Sequence, residues 1–417
     1  MNGHRQAHEH GGAVEQSGAG HGLGAFRIVD TTLREGEQFA GAHYTTAQKG
    51  AIASALDAFG VEYLELTSPV ASPRSFRDAQ ALVHQGLRAR LLVHVRCTLA
   101  DARAAVATGV HGVNLFYGTS QLLRQHSHRK SLNEIVDEAG EVISLVRESG
   151  REVRFSSEDA FRSDPAELRE LFLAIDALGV DRVGVADTVG VATPRQVYAL
   201  VSGLRAAGVR AGIEFHGHDD SGCAVANSFA ALEAGARFLD TTVLGIGERN
   251  GITPLGSLVA RLYTVDPALV GKYALRLLAP LDHLVAGIVG VEIPFNTPIT
   301  GSRAFTHKAG VHTNAVLRDP RTYEAIDPTH FGVERSLEIS HSLTGRAAVR
   351  SRATQLGLSL DDSRLRALTT QIKSLGDTRR LTMDDVDRLL LGDNARRGDG
   401  AGPPGPTIGA PTMRGEP

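Results

Sequence analysis

Two polar clusters that lie far apart in the chain hold the residue types from which a metal site is built. The first is Asp30-Thr31-Thr32-Leu33-Arg34-Glu35-Gly36-Glu37-Gln38, which follows the mostly apolar run 25–29. The second is Glu214-Phe215-His216-Gly217-His218-Asp219-Asp220, which follows residues 211–213. Both clusters therefore come at the end of a predicted strand, and in parallel α/β proteins active sites are built at that edge.

The spacing of the two histidines favours one shared ligand site. Residues two apart in an extended chain point to the same side, so Glu214, His216 and His218 share a face. Two imidazoles and the carboxylate of Glu35 would supply three ligands for a divalent cation and leave positions open for substrate. Each cluster alone also fits a solvated loop closed by ion pairs, or a pair of ordinary polar histidines. Their occurrence together favours the metal site.

Short apolar strands that alternate with longer helical patterns must position these residues. We predict eight strands, at Phe26–Asp30, Tyr63–Thr67, Arg90–Arg96, Gly112–Phe116, Glu152–Ser156, Arg182–Ala186, Gly212–Phe215 and Phe238–Val243. Helix-compatible segments such as Thr46–Phe59 lie between them. Eight β/α units over about 220 residues fit a closed (β/α)8 TIM barrel of the α/β class better than an open sheet.

Composition and charge exclude several classes of protein. The 44 Lys and Arg residues against 47 Asp and Glu give a net charge of −3, so no bias towards nucleic acid is visible. The two cysteines, Cys97 and Cys223, are too few for a disulfide framework and fit a reducing cytosol. No apolar run approaches the roughly 20 residues of a membrane helix, and residues 1–24 resemble neither a secretory signal nor a transit peptide. We therefore expect a cytoplasmic protein that binds neither nucleic acid nor membrane.

The two clusters resemble motifs of one enzyme family. Thr32–Gln38 and His216–Asp219 are similar to stretches of the metal-dependent TIM-barrel condensing enzymes, which include isopropylmalate, citramalate and homocitrate synthases and hydroxymethylglutaryl-CoA lyase. Further similar stretches are residues 65–72, 154–159, 184–190, 245–251, 293–296 and 305–312. The resemblance extends from about Phe26 to Leu390. It points to the homocitrate synthases, because Glu35 stands where most isopropylmalate synthases have Asp.

This resemblance implies a domain plan and a reaction. The barrel would occupy residues 25–280, and a lid with a helical C-terminal part would occupy residues 281–391. The tails 1–24 and 392–417 are expected to be disordered. The implied reaction is the aldol-type (Claisen-like) condensation of acetyl-CoA with 2-oxoglutarate to homocitrate, the first step of lysine biosynthesis through 2-aminoadipate. Because the lid of relatives crosses to a partner barrel, we expect a homodimer.

The resemblance also assigns roles around the metal. Glu35, His216 and His218 would bind Zn²⁺, Mn²⁺ or Mg²⁺, and the imidazoles favour the transition metals. Arg34 would stabilise the alkoxide that forms at the keto oxygen, although a structural salt bridge with Glu37 or Asp30 is the alternative. Gln38 would line the pocket.

A polar set is expected to bind the distal carboxylate of 2-oxoglutarate. By resemblance its members are His94, Arg154, Ser156 and Thr188. Arg154 and Ser156 are two apart in the chain, so they share a face, which supports a joint grip on a carboxylate. An isopropylmalate synthase would need apolar residues there.

Three residues are implied in removing the proton from the acetyl methyl group. They are His312 and Tyr323, delivered from the lid across the dimer interface, and Glu158 of the barrel. The sequence leaves open which of them is the base.

Two departures from the homocitrate synthase pattern stand out. Relatives carry an Asp that, with the residue matching Glu214, holds the ammonium of the inhibitor lysine, whereas this chain has Asn114. We therefore expect lysine to be a weak inhibitor. Relatives also place an Arg before Leu-Thr-Gly, whereas this chain reads His341-Ser342 before Leu343.

Two alternatives remain open at this point. One is a sibling enzyme that condenses acetyl-CoA with another 2-oxo acid, including a specialised homologue with relaxed lysine feedback. The other is a catalytically silent metabolite sensor. The intact set Arg34, Glu35, His216 and His218 argues against the sensor, since a sensor need not keep an open metal site.

Overall fold

The computed structural model describes residues 23–398, with side chains to residue 392, and divides the chain into two compact units. The first unit ends at Ile293 and the second begins at Pro294. Most of the two tails expected to be disordered lies outside the described residues. Within the described residues, no helix is long and apolar enough to cross a membrane.

Eight parallel strands close the first unit into a barrel, and β8 pairs back onto β1. The strands are β1 Arg27–Asp30, β2 Tyr63–Leu66, β3 Arg90–Arg96, β4 Gly112–Gly118, β5 Glu152–Glu158, β6 Arg182–Asp187, β7 Gly212–Gly217 and β8 Phe238–Thr241. The predicted (β/α)8 barrel is therefore confirmed. β4, β5 and β7 run past their predicted ends and carry the polar residues there into the barrel rim.

Helices surround this barrel. They are α1 Thr46–Phe59, α2 Pro73–Val83, α3 Leu99–Ala107, α4 Gln121–Leu123, α5 Leu132–Glu148, α6 Pro165–Ala177, α7 Pro194–Ala206, α8 Ala224–Glu233, α9 Leu255–Val265 and α10 Leu278–Val289. Capping boxes at Thr45, Ser131 and Thr193 begin α1, α5 and α7, because each side chain accepts the N–H three residues on. A five-residue π-helix, Arg124–His128, connects α4 to the loop before α5.

The first unit extends beyond the expected boundary at residue 280. The reason is α10, which packs against α1 and buries Leu281 and Val285. α10 therefore completes the helical layer of the barrel unit.

The barrel interior changes from apolar to charged along the strands. Towards the strand N-termini, Val29, Tyr63, Leu92 and Phe238 form a buried cluster. The next layer is polar and is at most 1% exposed, and it consists of Glu65, Asn114, Arg154, Glu214 and Asp240. Since buried charges must be paired, this layer supports the rim above it through ion pairs rather than through apolar packing alone.

The second unit is mainly helical. It contains the two-stranded parallel pair β9 Thr306–His307 and β10 Ser336–Leu337, and the helices α11 Gly310–Val316, α12 Arg346–Gln355, α13 Asp362–Thr378 and α14 Met383–Gly398. Its core consists of Ile339, Ala348, Val349, Leu365, Leu368, Ile372, Leu381, Val386 and Leu390. α14 continues past residue 391, where the sequence predicted the ordered part to end.

Candidate active site

Glu35, His216 and His218 meet at the C-terminal rim of the barrel. The Nε2 atoms of the two histidines are 3.3 Å apart, and each lies 4.0 Å from an oxygen of Glu35. These separations suit ligand bonds of about 2.1 Å to one ion. Among the described residues, this is the one group of three His, Cys, Asp or Glu side chains that could hold a metal ion.

The protonation of the group suits a metal. Burial lowers the pKa of His216 to about 4 and the pKa of His218 to about 4, so both rings are neutral near pH 7. Asp240 lies 2.9 Å from Nδ1 of His216 and accepts its proton, which leaves the Nε2 lone pair free for a metal. Burial is the largest single effect and opposes ionisation of Glu35, but Arg34 and the other neighbouring groups together hold the pKa of Glu35 below its usual value.

The loop after β8 holds the Glu35 carboxylate in place. The backbone N–H of Glu248 donates to Oε1 of Glu35 at 2.9 Å. A Cβ on Gly247 would lie 2.9 Å from the same oxygen, so glycine is needed for this close approach. The glycine-rich stretch at residues 245–251 thus positions the carboxylate of a candidate metal ligand.

Arg34 lies beside the metal ligands and is fixed by two carboxylates. It contacts Glu35, and its Nε donates to Glu65 at 2.6 Å. The alternative partners considered from the sequence, Glu37 and Asp30, are not the ones it uses. Glu37 instead pairs with Lys49 at 2.8 Å. Arg34 therefore lines the cavity with its charge paired to Glu35 and Glu65 rather than to Glu37 or Asp30.

Ten of the predicted site residues line one cavity of about 240 Å³. They are Arg34, Glu35, Gln38, His94, Arg154, Ser156, Glu158, Thr188, His216 and His218. They come from the ends of five of the eight strands, so barrel closure is what brings them together.

One side of this cavity carries the polar residues His94, Arg154 and Ser156. His94 stacks on Phe116 with ring centroids 4.6 Å apart, and burial lowers its pKa to about 4. The guanidinium of Arg154 contacts Glu214 beneath the cavity. Gly184 on the neighbouring strand leaves space for the Ser156 side chain, because a Cβ at residue 184 would lie 2.6 Å from the Ser156 hydroxyl.

Four predicted residues do not line this cavity. Asn114 and Glu214 are fully buried in the charged layer, where Nδ2 of Asn114 donates to Glu65 at 2.5 Å. His312 and Tyr323 belong to the second unit, and their ring centroids are 4.2 Å apart.

The departure at His341 has a local structural role. Its Nε2 donates to the carbonyl of Glu338 at 2.8 Å, and its Nδ1 accepts the N–H of Leu343 at 3.0 Å. The His341 imidazole therefore stabilises the turn before Leu343, where the homocitrate synthase pattern has an Arg.

Sequence reasoning missed Glu65 and Asp240 as site residues. Glu65 accepts from Arg34 and Asn114 and lies 3.3 Å from Nδ1 of His94, so it connects three strands. Both acids occupy inward positions of short apolar strands, and a buried acid in such a strand is the signal that could have found them.

The comparisons with known proteins agree with this fold. The barrel and its Glu–His–His group place the chain in the class described as HMGL-like, whose family model matches residues 25–284. A second family model, homocitrate synthase post-HMGL domain-like, matches residues 299–380.

Individual relatives narrow the assignment. A mitochondrial homocitrate synthase of Schizosaccharomyces pombe is 55% identical over 366 residues, which cover 88% of this chain and 87% of that protein. A cytosolic homocitrate synthase isozyme of Saccharomyces cerevisiae is 52% identical over 88% of this chain and 85% of its own length. The chain belongs to the homocitrate synthase family. A solved HMG-CoA lyase from Bacillus subtilis shares the fold, with a TM-score of 0.57 and 21% identity over 65% of this chain and 95% of its own.

Proposed function

We propose that this protein condenses acetyl-CoA with 2-oxoglutarate to give homocitrate and CoA, in the first step of lysine biosynthesis through 2-aminoadipate. The observation that carries the proposal is one cavity lined by both the Glu35–His216–His218 group and a polar distal side. The membership of the homocitrate synthase family supports the same substrates.

The donor set fits a divalent ion, since two neutral imidazoles and an ionised carboxylate converge on one point. When bound, such an ion supplies a Lewis acid for the keto group of the 2-oxo acid. Nitrogen ligands favour Zn²⁺ or Mn²⁺ over Mg²⁺.

Arg34 and the distal residues orient the 2-oxo acid. Arg34 donates to the keto oxygen as negative charge develops on it. His94, Arg154, Ser156 and Thr188 bind the distal carboxylate, and Gln38 lines the mouth of the pocket. A diacid is therefore held at both ends, which fixes the keto carbon for attack.

Glu158, His312 and Tyr323 are the groups that remove the proton from the acetyl methyl group. Burial and the neighbouring Asp159 raise the pKa of Glu158, which brings this carboxyl closer to the range useful for general acid–base chemistry. The methyl carbon gives its proton to the base and forms a bond to the keto carbon, while the π pair of the keto group moves to its oxygen, which takes up a proton and becomes the hydroxyl group. Water then cleaves the thioester and releases CoA.

The proposed working form is a cytoplasmic homodimer. Support for a reducing compartment comes from Cys97 and Cys223, which are both free thiols. Support for the dimer is the resemblance to enzymes whose lid crosses to a partner barrel, since the matching His312 and Tyr323 belong to the second compact unit.

A substrate panel tests the proposed reaction. Release of CoA from acetyl-CoA is measured with 2-oxoglutarate, oxaloacetate, 2-oxoisovalerate and pyruvate, each with and without chelator. We expect the highest kcat/KM with 2-oxoglutarate and loss of turnover with chelator. A preference for 2-oxoisovalerate or pyruvate would refute the proposed substrate and assign the chain to a sibling activity.

A further inference from the structure

A second cavity on the same rim is lined by more basic than acidic residues. It encloses about 650 Å³ beyond the ends of β4 and β5. Four basic residues line it, namely Arg124, Arg129, Lys130 and Arg162, against the two acidic residues Asp164 and Glu167. None of these six residues takes part in the reaction described above.

Carboxylates pair with three of the four basic residues, and among the described residues Arg129 has no such partner. Glu167 pairs with Arg124 at 2.7 Å, while Asp164 accepts the N–H groups of Ala166 and Glu167 as the N-cap of α6. Nε of Arg124 is buried and has no hydrogen-bond partner within the described residues. Lys130 and Arg162 pair with Glu138 and Asp159, which lie outside the cavity lining.

Arg129 is held in an unusual conformation without a partner. It follows the π-helix Arg124–His128 and has φ 58° and ψ 37°, in the left-handed region that non-glycine residues seldom adopt. No hydrogen bond or ion pair of its exposed side chain occurs within the part of the chain that is described. π-helical segments and strained backbone both occur preferentially at functional sites.

The position of the cluster relates it to the active site. Glu158 ends β5 and lines the active-site cavity, and Arg162 is four residues further on. Four chain steps limit the distance between their Cα atoms to about 15 Å. A ligand that reacts beside Glu158 and carries phosphates on a long flexible arm can therefore reach the basic residues.

We propose that this basic cavity, lined by Arg124, Arg129, Lys130 and Arg162, binds the phosphate groups at the nucleotide end of the acyl-CoA substrate. The inference rests on the proposed function for the identity of that substrate. Guanidinium and ammonium groups form charge-assisted hydrogen bonds to phosphate oxygens, and Arg does so in a bidentate manner. A free phosphate or nucleotide shares this chemistry, so the test separates the two sources.

The test compares thioesters with and without phosphates in the full-length enzyme. The variant Arg124→Gln/Arg129→Gln is chosen because the carboxylate that it leaves unpaired, Glu167, is 46% exposed and can be hydrated. We expect the KM for acetyl-CoA to rise about 5- to 20-fold, as for two partly exposed charge pairs. The KM for acetyl-pantetheine, which lacks the nucleotide and the diphosphate, should stay within about twofold. The kcat at saturating acetyl-CoA should not change.

Two further variants serve as controls. Arg124→Gln/Arg129→Gly removes the same charges and places glycine at the left-handed position, so the effect remains measurable if the first variant folds poorly. Arg103→Gln removes an exposed arginine in the middle of α3 and should leave both KM values unchanged.

A second measurement does not depend on turnover. Calorimetry measures how tightly the enzyme binds adenosine 3′,5′-bisphosphate and inorganic phosphate. If the wild-type enzyme fails to release CoA but binds the bisphosphate through these arginines, the proposed function is refuted while the phosphate site is supported. Equal KM changes for both thioesters, or none for acetyl-CoA, would overturn the inference. Weakened binding of inorganic phosphate with an unchanged KM for acetyl-CoA would likewise overturn it, since it would indicate a free-anion site.

Discussion

At the scale of single residues, Asp240 determines how His216 can bind a metal. Its carboxylate accepts the Nδ1 proton of His216 at 2.9 Å. Burial raises the pKa of Asp240 to about 6, so this carboxylate is still ionised at pH 7. A metal site therefore depends on an acid that is not itself among its ligands.

The variant Asp240→Asn tests this dependence. Because the amide is a weaker acceptor for the His216 proton, we expect metal affinity to fall about 10- to 100-fold. The measurement is a competition titration against a chelating dye. Asp57→Asn is the matched control, since Asp57 pairs with Arg88 on the outside of the barrel and should leave metal affinity unchanged. Equal affinities in wild type and Asp240→Asn would contradict the role of Asp240.

Asn114 should weaken inhibition by lysine. The buried Glu214 already contacts Arg154 and pairs with Arg182 at 2.8 Å, so a lysine ammonium must compete with two guanidiniums. Loss of one carboxylate removes a contact of about 1.5–3 kcal/mol, which is up to roughly a hundredfold in affinity. We expect Asn114→Asp to lower the inhibition constant for lysine, measured against 2-oxoglutarate. Full inhibition of the wild type by millimolar lysine, unchanged in Asn114→Asp, would rule this out.

At the scale of elements, the loop after β8 is built around its contact with Glu35. Gly247→Ala would place a Cβ 2.9 Å from Oε1 of Glu35 and displace either the carboxylate or the loop. We expect a loss of metal affinity of about tenfold or more, similar to the loss of an outer partner of a metal ligand. Gly287→Ala in α10 is the control, since a Cβ there meets nothing within 4 Å. This control should keep metal affinity and raise stability by at most about 1 kcal/mol.

The same elements show what the sequence could predict. Alternation along β7 correctly puts His216 and His218 on one face, because the side-chain period of a strand is a local property. The partners Glu65 and Asp240 could not be found in this way. Glu65 of β2 meets Arg34 after the neighbouring β1, and Asp240 of β8 meets His216 of the neighbouring β7. Which strands are neighbours, and in which register, depends on the whole chain.

The distal cavity wall gives a second example. The sequence supported a joint position for Arg154 and Ser156, and both line the cavity. It did not reveal that the Arg154 guanidinium also contacts Glu214, because that contact crosses from β5 to β7 over the intervening strand.

At the scale of the whole molecule, the proposed dimer predicts complementation between two inactive variants. Glu35→Ala removes a metal ligand, and His312→Ala removes a proposed group of the partner's lid. If each site combines one barrel with the other subunit's lid, a randomly mixed population regains about a quarter of wild-type activity, since half the dimers are mixed and each holds one intact site. The measurement is CoA release after co-expression. No recovery in dimers shown to be mixed would contradict a shared site.

The most direct test of the account is to follow metal binding and turnover together. Metal-stripped enzyme is titrated with Mn²⁺, bound ion is measured by electron paramagnetic resonance, and CoA release with 2-oxoglutarate is measured in the same samples. We expect activity to return in proportion to bound metal, up to one ion per chain. The variants Glu35→Ala, His216→Ala and His218→Ala should each lose both metal binding and turnover. Turnover by the stripped enzyme, or undiminished activity in any of the three variants, would contradict the account.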